Sequence, residues 1–179
     1  MVHRIRLALF AFSSLTASVL VPEELYFTNG GVAALTTDGA VRTWGTSDRG
    51  GDSSSVAQYL TSGVVSITSS GRAFAALKSD GQVVVWGHVN YGGDPTGEGV
   101  APAALESGAT KVVAGDYFFA VLKADGTVVS WGNILNGGTD GVTFASVEAS
   151  LTNVVDLAAG TFAVCALKSD GSIVPWQVL

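Results

Sequence analysis

The sequence predicts an all-β protein built of propeller-type blades. Three observations carry the prediction. A cassette of leucine, Asp-Gly and tryptophan recurs four times in register. Each Asp-Gly pair lies between runs rich in β-branched and apolar residues, the strongest short-range hairpin signal. No stretch longer than about ten residues shows the 3.6-residue periodicity of an amphipathic helix.

Residues 1–21 stand apart from the repeats. Two arginines and a histidine fall within Met1 to Arg6, and Leu7 to Val21 is an apolar and small-residue run, LALFAFSSLTASVLV, closed by Pro22-Glu23-Glu24. A basic start followed by a short apolar run has the form of a secretory signal peptide, and the same run also reads as a degenerate strand. At 15 residues it falls short of the roughly 20 needed to span a bilayer. The compartment stays open between cytoplasmic and secreted, depending on whether this leader is cleaved.

Residues 22–179 form the repeat domain, with units at about 22–63, 64–108, 109–152 and 153–179. The marker leucines are Leu35, Leu77, Leu122 and Leu167. Three residues on come Asp38-Gly39, Asp80-Gly81, Asp125-Gly126 and Asp170-Gly171, and nine residues on come Trp44, Trp86, Trp131 and Trp176. The tryptophan spacings of 42, 45 and 45 account for every tryptophan in the chain. Gly39, Gly81, Gly126 and Gly171 are expected at positive φ, where glycine carries no steric cost. A further β-prone run precedes each hairpin, as in Val64-Val65-Ser66-Ile67 and Lys111-Val112-Val113-Ala114. After each of the first three tryptophans come paired glycines (50–51, 92–93, 137–138) and a short apolar segment such as 56–60 or 102–105. Each unit therefore holds three to four short strands, and a period of 40–50 residues is that of a propeller blade.

Composition narrows the function. A hydrophobic fraction of 47% with 13% charged residues belongs to a folded domain, not a disordered chain. A net charge of −6 opposes binding to a phosphate backbone, so no nucleic-acid partner is expected. The single cysteine, Cys165, and two histidines, His3 and His88, leave no disulfide framework, zinc site or nucleophile–base pair, so no catalytic residue, metal or cofactor is expected. The aspartates of the Asp-Gly turns lack the alternating oxygen ligands of a calcium loop. Lys78, Lys123 and Lys168 form a periodic row beside those turns, as solvated strand ends or as a seat for an acidic partner. The tryptophans, recurring at one position, read as packing between blades more than as a stacking array for ligands. The loops after the tryptophans vary most from unit to unit, and such loops on a rigid scaffold are where recognition resides. Arg49, Asp52, His88, Asn90, Tyr91, Asp94, Asn133 and Asp140 are the candidate partner contacts.

The pattern apolar-x-Leu-Lys-x-Asp-Gly-x-Val-Val-x-Trp-Gly, seen in full at 75–87, resembles the regulator-of-chromosome-condensation (RCC1) repeat over residues 24–179. The resemblance implies β-propeller blades of the kind that make seven-bladed rings in a guanine-nucleotide exchange factor, in HECT-type ubiquitin ligases and in scaffold proteins. A closely similar repeat serves a secreted inhibitor of β-lactamase. Two departures stand out. Gly-Gly-Asp or Gly-Gly-Thr-Asp replaces the family's Gly-Gln-Leu-Gly, and the histidine common ahead of the leucine strand is missing, with Val32, Phe74, Phe118 and Phe162 near its place. Three full units and a truncated fourth make a partial, open or half ring, as a fragment of a longer ring, a ring closed by self-association, or a stack covered by a partner. The expectation is a non-enzymatic protein-interaction scaffold. The alternatives are part of an exchange factor or HECT-type ligase propeller, or a secreted inhibitor-like or adhesive module.

Overall fold

The structure, a computed structural model, describes residues 4–6, 22–96, 102–133 and 147–177. Unit one contributes β2 (Pro22–Phe27), β3 (Gly31–Thr36) and β4 (Val41–Gly45); unit two β5 (Val64–Ser69), β6 (Ala73–Lys78) and β7 (Val83–Gly87). Unit three supplies β8 (Ala109–Ala114), β9 (Phe118–Lys123) and β10 (Val128–Gly132), and unit four β11 (Val154–Ala159), β12 (Ala163–Lys168) and β13 (Ile173–Gln177). Each unit is an antiparallel meander, and β1 (Arg4–Arg6) pairs with β2 to give the first sheet a fourth strand. Residues 7–21 lie outside the described residues.

The Asp-Gly hairpins follow from local chemistry. The four turn glycines sit at φ between 79° and 83°. The preceding carboxylates close the turn: Asp125 Oδ1 accepts from the Thr127 amide (3.0 Å) and hydroxyl (2.6 Å), and Asp170 from the Ser172 amide (2.9 Å) and hydroxyl (2.6 Å). Hydrogen bonds from Thr36, Thr127 and Ser172 hold the Asp38, Asp125 and Asp170 carboxyls below the ordinary carboxylate range. These aspartates are committed to the turns. A β-bulge follows the first residue of the leading strand in all four units, between Pro22/Glu24, Val64/Ser66, Ala109/Lys111 and Val154/Asp156.

Sheet stacking buries both faces of the middle units. On β6, Phe74 and Ala76 join Tyr26, Leu35 and Trp86 in one core, while Ala73, Ala75 and Leu77 join Phe119, Val121 and Trp131 in the next. A third core unites Phe118, Leu122, Leu157 and Trp176. Burial on both faces is why these strands read as continuous apolar runs rather than alternating ones. Backbone hydrogen bonds stitch the units at both ends. At the Asp-Gly end Val64, Ala109 and Val154 amides donate to Gly39, Gly81 and Gly126 carbonyls (3.0, 3.0 and 3.1 Å). At the opposite end Asn29 donates to Gly71 (2.9 Å), Gly71 to Asp116 (2.7 Å) and Asp116 to Thr161 (3.0 Å). This is a partial β-propeller of four blades.

One detail differs from the sequence reading. The apolar segments after the paired glycines are not strands: Ser54–Tyr59 and Pro102–Leu105 are 3-10 turns that tuck Leu60 and Leu105 into the cores. Pro102 has no amide to offer a ladder. The residue opposite each tryptophan is Val32, Phe74, Phe119 and Val164, so Phe118 and Phe162 lie off that position.

Candidate functional site

The chain reversals between the first two strands of each unit and the loops after Trp44 and Trp86 lie at the same end of the stack, opposite the Asp-Gly turns. Arg72, Tyr117 and Phe162 occupy one repeat position in the reversals of units two, three and four, where unit one has Gly30. Tyr91, from the loop after Trp86, inserts among them. Its ring stacks on Tyr117 with centroids 4.7 Å apart, and Tyr117 stacks on Phe162 at 6.2 Å. The Arg72 guanidinium lies 4.9 Å from the Tyr91 centroid, and His88 meets Tyr91 edge-on at 5.2 Å. Three units thus contribute one rim of cation and stacked rings.

Backbone geometry fixes this rim. Paired glycines let the loops after Trp44 and Trp86 fold back: Gly50 and Gly92 adopt φ of 84° and 82°, each ending a single 3-10 turn. The carbonyls of these glycines accept the indole N–H of the next unit, Trp86 to Gly50 at 3.0 Å and Trp131 to Gly92 at 2.9 Å. The Ser70 hydroxyl donates to the Tyr91 carbonyl (2.7 Å), His88 N–H to the Arg72 carbonyl (3.1 Å), and Asn133 N–H to the Tyr117 carbonyl (2.9 Å). A hydrogen bond with Tyr91 pushes the Tyr117 phenol up from its ordinary value.

The sequence candidates divide. His88, Tyr91 and the Asn133 backbone belong to the rim. His88 accepts the Asn90 amide at Nδ1 (3.1 Å), which leaves Asn90 itself exposed at the tip. Arg49 is drawn inward in unit one, its Nη1 donating to the Asn29 carbonyl (2.9 Å) and its own carbonyl accepting the Thr28 hydroxyl (2.6 Å). Asp52 and Asp94 close their own loops, accepting from the Ser54 amide (2.9 Å) and the Thr96 amide (2.9 Å). The Ser54 amide holds the Asp52 carboxyl below its ordinary range. Both line, with Asp48, an acidic groove of about 590 Å³ between the loops of units one and two. Asp140 lies outside the described residues. Sequence reasoning missed Arg72, Tyr117 and Phe162, because their partners come from neighbouring units rather than neighbouring positions.

A polar cavity of about 450 Å³ opens where the reversals of all four units meet, lined by Asn29, Ser70, Asp116 and Thr161 among others. Among the described residues no three His, Cys, Asp or Glu side chains converge in a way that could hold a metal, and no helix is long and apolar enough to cross a membrane. At the other rim Lys123 Nζ donates to the Ala104 carbonyl (3.1 Å), so the lysine row is partly spent on the fold. Trp86, Trp131 and Trp176 are buried between units, whereas Trp44 is 52% exposed on the outward face of the first sheet. At the other end of the stack Leu167, Ile173 and Phe162 are exposed, and Cys165 is half-buried.

The family model for the regulator of chromosome condensation (RCC1) repeat matches residues 109–137. No curated protein sequence is a significant match. Among solved structures, the chain resembles Prp20p from Saccharomyces cerevisiae (TM-score 0.60, 20% identity, 86% of this chain and 44% of that one). It also resembles the ectodomain of the Physcomitrella patens receptor kinase CR4 (0.58, 17%, 88% and 41%) and human WBSCR16 (0.54, 19%, 84% and 46%). The chain spans less than half the length of each.

Proposed function

From the premise that this is an RCC1-like repeat protein, we propose that it is a non-enzymatic scaffold that binds another protein through the rim of loops following its tryptophans. The observation that carries this reading is the Arg72–Tyr91–Tyr117–Phe162 ladder, with His88 at its edge. Arginine and tyrosine are over-represented at binding hot spots, and rings held in place by their neighbours lose little entropy on association. The ladder is assembled from three units, so it exists only in the folded stack. Yeast Prp20p, which shares the fold, is described with its binding to Gsp1p and histones, and protein partners fit a rim of this kind.

The test is site-specific cross-linking on the full chain. A photoreactive side chain at Asn90, on the exposed tip, should trap a partner that the same group at Ala124, on the opposite rim, does not. Equal capture from both rims, or capture from Ala124 alone, would discard the reading. Self-association is a second reading, favoured by the exposure of Trp44 at one end of the stack and Ile173 at the other. Light scattering should then give a mass that rises with protein concentration, and a constant monomer mass would remove it.

A further inference from the structure

We infer that the ladder's end at Phe162 seats an arginine side chain of the partner, so that the partner segment is basic; this rests on the rim being the interaction surface. The ladder runs guanidinium, ring, ring, ring: Arg72 over Tyr91, Tyr91 on Tyr117, Tyr117 on Phe162. Aromatic faces carry negative electrostatic potential, and a planar guanidinium stacks on them with little loss of hydration. The first such pair is already present, with Arg72 4.9 Å from the Tyr91 centroid. Tyr117, at the equivalent position in unit three, has a ring neighbour on both sides. Phe162 makes its ring contact with Tyr117 and remains 49% exposed. It therefore offers an aromatic face in the same row, without a described cation upon it.

Charge selects the same occupant. The chain carries −6, and the groove at the far side of the rim is lined by Asp48, Asp52 and Asp94. The rim's own cations are engaged, Arg49 on the Asn29 carbonyl and Arg72 on Tyr91. A basic segment is drawn to this surface by the net field, and arginine in particular gains from the ring. Lysine, a compact and strongly hydrated charge, gains less.

The experiment titrates the full chain with a short arginine-glycine peptide, with its citrulline counterpart of equal shape and no charge, and with a lysine-glycine peptide, following ring resonances by NMR. The arginine peptide should shift the Phe162 and Tyr117 signals and bind more tightly than either of the others. Phe162→Leu, at an exposed position that preserves the fold, should weaken it about two- to five-fold, the range of an exposed cation–π contact, and Phe162→Trp should restore or strengthen it. If Phe162→Leu leaves the arginine peptide's affinity unchanged while added salt abolishes binding, the peptide is adsorbing to net charge and the inference falls. The inference also falls if citrulline binds equally well. In both cases the cross-linking contrast between Asn90 and Ala124 is unaffected, so the two failures are separate.

Discussion

Replacing Trp131 with alanine should cost about 3–5 kcal/mol of stability, whereas Trp44→Ala, at the equivalent position in the first unit, should cost only about 1 kcal/mol. Both indoles end the same kind of strand, opposite the same position of the preceding one. Their surroundings differ. Trp131 is 0% exposed, stacks on Phe119 at 5.6 Å and donates its indole N–H to the Gly92 carbonyl of the preceding unit at 2.9 Å. Alanine there opens a cavity between sheets and leaves a buried carbonyl without its donor, and the two losses add. Trp44 is 52% exposed on the outward face, where no described unit precedes it, so its truncation removes only the area it covers on its own unit and opens no cavity between sheets. Denaturant midpoints of the two variants decide the matter. Equal losses would mean that the indoles stabilise their own blades rather than the joints between them, and the interface account would fail.

That contrast marks how far the sequence can be read. The hairpins were legible because leucine, Asp-Gly and tryptophan act locally: the turn aspartates bond to residues two positions away, as Asp125 does with Thr127. The burial of Trp86 and Trp131 was legible because a side chain repeated at one position meets the same neighbour each time. The exposure of Trp44 was not, since it depends on what adjoins the first sheet. The pairing of Phe119 with Trp131 was not legible, for a physical reason. With both faces of β9 buried, Phe118 and Phe119 are equally apolar, and nothing in the alternation says which looks towards the preceding unit. The rim ladder was legible only in part. His88 and Tyr91 drew attention as members of a variable loop, but Tyr91 finds Tyr117 across a unit boundary, and Tyr117 finds Phe162 across the next.

The joints between units also set how firmly that ladder is held, and a pair of equivalent glycines exposes the effect. Gly115 and Gly160 precede Tyr117 and Phe162 by two residues and make the same local bond, Gly115 N–H to the Phe118 carbonyl and Gly160 N–H to the Ala163 carbonyl. A methyl group added at Gly115 would lie 2.2 Å from the Phe118 ring and 2.6 Å from the Thr161 carbonyl of the next unit, whereas at Gly160 it would meet nothing within 4 Å. Phe118 is fully buried, and the Thr161 carbonyl is pinned by the Asp116 amide, so neither can yield cheaply. Gly115→Ala should therefore destabilise by about 1–3 kcal/mol through overpacking. Gly160→Ala should raise stability by about 0.4–1 kcal/mol, because alanine narrows the unfolded ensemble without a native clash. The opposite signs, read as unfolding midpoints that fall for one variant and rise for the other, are the signature of a joint occupied on one side and open on the other. Forcing the Gly115 joint apart should also separate Tyr117 from Phe162, since the reversal that carries Tyr117 is the one bonded to Thr161. Ring-current shifts of the Phe162 resonances moving towards their unstacked values in Gly115→Ala, but not in Gly160→Ala, would tie the stability of the stack to the geometry of its recognition rim. Two variants shifting stability in the same direction would show that the reversals act within their own units, and the ladder would then owe its order to the loops alone.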